Sequence, residues 1–226
     1  MFSVLFEVHP KPDQWDAYLG YAKMLRPELE QIDGFVDNIR YRSLTREGWI
    51  LSLSNWRDEK AVVRWRRLES HHRIQEKGRT EVLLDYHLRV GQITQDTRLP
   101  AGLELREQRL DETEVGEGTA VTLIDAPAGY TPESEPDRLA RALGLDLATH
   151  LPLSWDVFDA VLSPGDLILL ASWPDDSAAE TFEKSLTSSE QLRLRRVRII
   201  RDYGMYDRRE APQYYPDVPR VESTDS

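Results

Sequence analysis

Leu51-Ser52-Leu53-Ser54-Asn55-Trp56-Arg57-Asp58-Glu59, followed by Trp65, His71-His72, Gln75 and Lys77-Gly78-Arg79, is the stretch on which the reading of the whole chain turns. Leu51 to Ser54 alternates apolar and polar residues at the period of a half-buried strand and runs into Asn55-Trp56. Asp58 has the side chain of a helix N-cap, and Glu59 suits the first turn next to the positive end of the helix dipole. Ala61, Trp65, Leu68 and His72 follow at spacings of four, three and four, which stacks them on one face of a helix running from Asp58 to Lys77. Gly78 is placed to end that helix in the left-handed conformation.

Upstream of this stretch, Phe2 to Val8 reads as a strand. A helix follows with Trp15, Tyr18, Leu19, Ala22, Leu25 and Leu29 at a 3.6 period, and Pro27 is expected to kink its last turn. Phe35–Leu44 and Gly48–Trp56 form a hairpin, and Thr80–Ile93 is the closing strand. The order βαββαβ is that of a ferredoxin-like unit, an antiparallel sheet with two helices on one face. The second half repeats it. Val4 and Val121, Leu53 and Leu170, Trp56 and Trp173, Ala61 and Ala178, Arg79 and Arg196, and Asp85-Tyr86 and Asp202-Tyr203 are all 117 positions apart. The fold class read from this pattern is α+β. Residues 1–95 and 119–208 form two ferredoxin-like domains, 96–118 a polar connector expected to cross the outside of the assembly, and 209–226 a tail, disordered from Val221 to Ser226.

Charge and composition exclude several functions. The net charge of -11, with no cluster of basic and aromatic residues, argues against nucleic acid and anionic membrane partners. Without cysteine there are no disulfides, thiolate zinc sites or iron–sulfur clusters. The short apolar run at Met1–Val8 is broken by Glu7 and His9-Pro10, so no signal peptide or membrane span is read, and a cytoplasmic protein is expected. His87 and His150 lack partners at ligand spacing, so no metal site is expected.

The run Leu51–Glu59, Trp65, His71 to Arg79 with its His-x-x-x-Gln and Lys-Gly-Arg, and Asp85-Tyr86 resembles the antibiotic biosynthesis monooxygenase family; Arg201-Asp202-Tyr203-Gly204 resembles that family's terminal strand. Known members are mostly single domains whose sheets pair into a dimeric α+β barrel. The resemblance implies that this chain carries both protomers of such a barrel, and such barrels could associate further into a homo-oligomer. Family members oxidise polycyclic aromatic phenols with molecular oxygen and no metal or flavin, or bind haem and degrade it. The first activity implies a small aromatic or quinol-like substrate and no cofactor; the second makes haem the alternative. A third reading is a non-catalytic module binding a small apolar ligand.

Deprotonating an electron-rich phenol for reaction with oxygen needs a base, an aromatic wall and donors for the developing anion. In the first half Trp65 offers the wall, His71 or His72 the base, and Asn55, Arg79 and Gln75 polar contacts. Trp65 matches the tryptophan that haem-degrading relatives place over the porphyrin, but Gln75 stands where they have the axial histidine and Glu7 where they have asparagine. Each residue also has a structural explanation. Trp65 on an apolar helical face packs a core, Asn55 and Trp56 end a strand, and Arg79 and Arg196 serve ion pairs. The wheel favours His72 on the apolar face, and the family pattern favours His71. At the 117-residue offset Trp65 maps to Phe182 and His71 to Ser188, which leaves one ligand site per chain, in the first half.

Overall fold

The alternating pattern of the two halves builds eight strands, and a computed structural model, which describes residues 1–187 and 189–220, shows how they close. The first half comprises β1 (Phe2–Pro10), α1 (Trp15–Glu30), β2 (Phe35–Ser43), β3 (Ile50–Trp56), α2 (Glu59–Arg66), α3 (Glu69–Lys77) and β4 (Leu83–Asp96). The second comprises β5 (Ala120–Ala126), α4 (Pro136–Ala142), β6 (Ser154–Ala160), β7 (Leu167–Trp173), α5 (Asp176–Ser185) and β8 (Arg193–Gly204). The strands form one closed barrel in the order β1-β3-β2-β6-β7-β5-β8-β4, and neighbouring strands run antiparallel. The two four-stranded sheets share an apolar core, Leu5, Leu51, Leu53 and Ile93 meeting Leu123, Phe158, Leu170 and Val197. Their edges also pair, β4 with β8 and β2 with β6, which leaves no open sheet edge.

Strand register shows which residues correspond between halves. Phe2 faces Trp56 as Ala120 faces Trp173, and Leu5 faces Arg89 as Leu123 faces Arg195. The first strands are thus offset by 118, Val4 matching Thr122 and not Val121, whereas Asp58 and Asp175 cap α2 and α5 alike, accepting from Ala61 N at 2.9 Å and Ala178 N at 2.8 Å, so the offset of 117 holds at β3 and through this helix. It fails afterwards. Arg89 and Arg195 are 106 positions apart, so the last strands are displaced by eleven residues from the gap-free alignment, and Asp202-Tyr203 is not the counterpart of Asp85-Tyr86.

The missing residues are those of α3 and the π turn Gly78–Val82, for which the described residues of the second half hold no equivalent element. The single helix expected over Asp58–Lys77 is two, broken where Leu68 adopts φ -65°, ψ 130° and caps α3. Gly78 lies in the right-handed region, φ -53°, ψ -50°, and passes the chain into the π turn instead of stopping it. Pro27 does not end α1, which runs on to Glu30. The connector is mostly exposed, with Leu103 and Leu105 half-buried against the barrel core. Val221–Ser226 and Ser188 lie outside the described residues. Among the described residues no helix is long and apolar enough to cross a membrane.

Candidate functional site

Side chains alternate across a strand, so the residues of β1–β4 that do not fill the barrel face α1–α3, and there a cavity of about 210 Å³ remains. Its floor changes character across the sheet. Leu88 and Val90 of β4 and Val4 and Phe6 of β1 are apolar, whereas Ser52 and Ser54 of β3 and Asn38 and Arg40 of β2 are polar. The roof is Tyr18, Tyr21 and Leu25 of α1, Trp65 and Arg66 of α2, and His71, Ile74 and Gln75 of α3. Asn38 donates to Ser52 Oγ and Leu53 O, both at 3.1 Å, while its buried Oδ1 has no partner.

The helix break decides which histidine reaches this space. On a straight helix residues six apart diverge by about 120°; the bend at Leu68 instead lays the His71 ring on Trp65, 4.1 Å between centroids and 20° between planes. His71 Nδ1 lies 3.1 Å from Trp65 O, which can only accept, so Nδ1 carries the proton and Nε2 the lone pair. Burial lowers its pKa to about 4, the Trp65 hydrogen bond opposing and His72 adding to the shift. His71 is therefore neutral at pH 7. Because the folded value lies below the unfolded one of about 6.5, the unfolded chain binds more protons between the two. Stability from this group is complete above the upper value and falls as pH drops toward the lower. Comparing wild type with His71→Leu, the drop in unfolding free energy from pH 7 to 4.5 is expected to shrink by about 2–3 kcal/mol. Superimposable pH profiles would show that the imidazole is hydrated.

His72 points elsewhere. Its Nδ1 is 2.9 Å from the Tyr215 hydroxyl, with the two rings stacked at 5.2 Å. Tyr215 belongs to the segment after β8, which turns back over the first half so that Arg208, Pro212, Gln213 and Tyr215 complete the cavity wall. The Tyr215 hydroxyl donates to Gln75 Oε1 at 3.2 Å, Gln213 Nε2 to Arg66 O at 3.3 Å, and Arg79 to Met205 O and Pro216 O at 3.1 and 3.3 Å. Sequence reasoning treated this segment as a tail; its Pro/Tyr content was the only signal, and nothing local says what it packs against. Tyr215→Ala is expected to cost about 2 kcal/mol, because a terminal segment can rehydrate where a core cannot. It should also raise proteolytic cleavage within 208–220 while the barrel stays intact; unchanged cleavage would show that the segment is held by other contacts.

Of the residues predicted for the site, Trp65, His71, Gln75 and Arg79 line the cavity. Asn55 does not. It lies on the barrel-facing side of β3, accepting from Ser3 Oγ at 2.7 Å and Arg195 Nη1 at 3.2 Å and donating to Asp37 at 2.6 Å. Trp56 is a packing residue with no exposed surface. Arg196 makes the expected ion pairs, to Glu183 at 3.0 Å and Asp176 and Glu180 at 3.6 Å. Arg79 makes none: it donates to Tyr86 Oη at 2.7 Å and to backbone carbonyls. The same is true of the other cavity arginines. Arg40, Arg66, Arg79 and Arg208 all border the space, no Asp or Glu does, and among the described residues none of the four has a carboxylate within salt-bridge distance.

In the second half the matching space is filled. Phe182, in the place of Trp65, is 1% exposed, stacks on Trp173 at 4.9 Å and packs with Leu139, Leu143 and Leu145. Ser188, the residue aligned with His71, lies outside the described residues. His150 meets the edge of Phe182 at 5.1 Å and Ser185 Oγ at 3.0 Å. His87 Nε2 lies 2.6 Å from Asp202, and among the described residues no group of three His, Asp or Glu is arranged to hold a metal ion.

The model of the antibiotic biosynthesis monooxygenase family matches residues 1–77. A protein of Pyricularia oryzae named jasmonate monooxygenase ABM is 50% identical over 226 residues, covering 96% of this chain and 99% of its own. Among solved structures, an anthrone oxidase-like protein is 12% identical, covering 94% of this chain and 96% of its own, with a TM-score of 0.31. A Pseudomonas aeruginosa protein is 13% identical over 39% of this chain and 89% of its own, with a TM-score of 0.36. The near-full-length identity to the Pyricularia relative, with the family match over β1 to α3, shows that the chain belongs to the antibiotic biosynthesis monooxygenase family.

Proposed function

We propose that the chain is a monooxygenase acting on a small amphipathic carboxylate of the jasmonate type, bound in the first-half cavity with molecular oxygen as co-substrate. The observation that carries this reading is the set of four guanidiniums at the cavity with no carboxylate beside them. Charge bordering a low-dielectric space is costly unless compensated, and an anionic ligand compensates it. A jasmonate is a cyclopentanone with a carboxylate arm and an apolar alkenyl arm, which suits a space of about 210 Å³ whose floor is half apolar and half polar. The name of the Pyricularia relative points to the same class.

Oxygen insertion balances as C–H plus O2 plus two electrons and two protons giving C–OH plus water. A keto acid without an electron-rich phenol ring does not supply the electron pair itself, so an external two-electron reductant of the nicotinamide type is its source. Protein residues here bind, orient and exclude water. A second reading, an aromatic or quinol-like phenol oxidised without any cofactor, is favoured by the Trp65–His71 stack and the Phe6, Tyr18, Tyr21 and Tyr86 rings. Such a substrate supplies its own electrons. His71, at about 4, is then a weak base for a phenol near 10, a gap worth about 8 kcal/mol, so the guanidinium field must hold the phenolate. Haem is the less favoured ligand on size alone, a macrocycle being bulkier than a space of about 210 Å³; His71 Nε2, whose lone pair is free, is the nitrogen that would face such a group.

The test is incubation with jasmonate under 18O2, with and without a nicotinamide reductant, followed by mass analysis. One 18O per product, dependent on the reductant, is expected. No product from jasmonate, but reductant-free oxidation of an anthrone-type phenol, would replace this reading by the second.

A further inference from the structure

We propose that Tyr86 is the hydrogen-bond donor that seats the ligand's anionic oxygen, and that Arg79 and Arg208 act on the ligand through it. The inference rests on the anionic-ligand reading and assigns a role within it. Tyr86, the fourth residue of β4, is 6% exposed and borders the cavity with its ring edge-on to Phe6 at 5.6 Å. Its phenolic oxygen accepts from two cations: Arg79 Nη1 at 2.7 Å and Arg208 Nη1. Two N–H groups occupy both lone pairs, so the hydroxyl can act only as a donor. Among the described residues no acceptor takes its proton. A buried donor without an acceptor is unfavourable, and here it stands at the wall of the first-half cavity, where a ligand oxygen can supply the missing partner.

The guanidiniums themselves are held by protein acceptors. Arg79 gives Nη1 also to Met205 O and Nη2 to Pro216 O, and Arg208 gives Nη2 to Gln213 O at 2.8 Å. Neither presents a free fork to a carboxylate. What they supply is polarisation: two cationic donors on the phenolic oxygen strengthen the bond its proton can make, as in any cooperative hydrogen-bond chain. Arg208 comes from the segment after β8, so the donor is complete only when that segment is seated on the first half.

The experiment compares the affinity of jasmonate and methyl jasmonate, which differ only in whether the terminal group is an anion, by calorimetric titration of the full chain and of Tyr86→Phe. Wild type is expected to bind the acid more tightly than the ester, and Tyr86→Phe to lose about 10- to 100-fold of acid affinity while ester affinity changes little. An acid preference retained in Tyr86→Phe would overturn the inference and give the anion to the guanidiniums directly. Equal binding of acid and ester by wild type would instead overturn the anionic-ligand reading beneath it. Should Tyr86→Phe fail to fold, wild type labelled with 13C at tyrosine Cζ carries the test. One Cζ resonance should move with the acid and not with the ester, and no movement at saturation overturns the inference.

Discussion

Glu7→Gln is expected to destabilise the fold by about 3–5 kcal/mol, the cost of leaving a buried charge without its partner. Glu7 faces the barrel interior, where its two oxygens are each 2.5 Å from a guanidinium, Arg89 on β4 and Arg46 on the β2–β3 turn. Arg89 is 5% exposed and reaches across the barrel to Ser172 Oγ of β7 at 2.6 Å. The other end of the barrel mirrors this: Arg195 of β8 pairs with Asp125 at 2.7 Å and reaches Asn55 of β3 at 3.2 Å. Glu7, Arg89 and Ser172 correspond by register to Asp125, Arg195 and Asn55, so each half sends one arginine into the other. Burial pushes the Glu7 carboxyl up, but Arg89 and Arg46 outweigh it, and the net pKa is lowered. Its stabilisation is therefore present above the ordinary carboxylate range and lost as pH falls through it. Urea unfolding at pH 7 measures the cost. The double change Glu7→Leu with Arg89→Met should recover much of it, since the penalty lies in the orphaned charge. A loss under about 1 kcal/mol for Glu7→Gln would mean that water reaches the pair.

This network explains one limit of reading the site from sequence. Asn55 stands beside Trp56 in a family-like run, and sequence alone does not say which strand face it takes. The alternation begun at Leu51 carries it inward with Leu53, into the clasp and away from the cavity. The fold was legible because period-2 strands, the Asp58 and Asp175 caps and the Trp56/Trp173 pair are local signals that two halves repeat. The cavity was legible as far as its residues are local: Trp65, His71, Gln75 and Arg79 fall within fifteen positions of one another. What stayed hidden is nonlocal. The floor residues Asn38, Arg40 and Ser52 read as ordinary polar positions of a hairpin, and Tyr215 lies 143 positions from the His72 it touches. The break at Leu68 was hidden as well. No proline or glycine marks it, and an unbroken 3.6 period points to His72, where the bend brings in His71.

The eleven-residue difference between halves bears on how many ligands one chain takes. Loss of a site by substitution would leave an empty cleft with changed walls; here α3 and its π turn have no counterpart among the described residues, and α5 closes directly onto the sheet. Phe182→Ala is expected to cost about 3–5 kcal/mol, because the ring is fully enclosed by Trp173, Leu139, Leu143 and Leu145 and its removal leaves a cavity these neighbours cannot fill. Ligand affinity should stay within about twofold of wild type, since additivity holds for sites without shared partners and Phe182 has none among the residues around the first-half cavity. Titration with jasmonate should saturate at one equivalent per chain in both proteins. A second equivalent appearing only in Phe182→Ala would show that the ring, and not the missing α3, is what excludes a ligand from the second half. A second equivalent in wild type would place a site where the structure shows packed core.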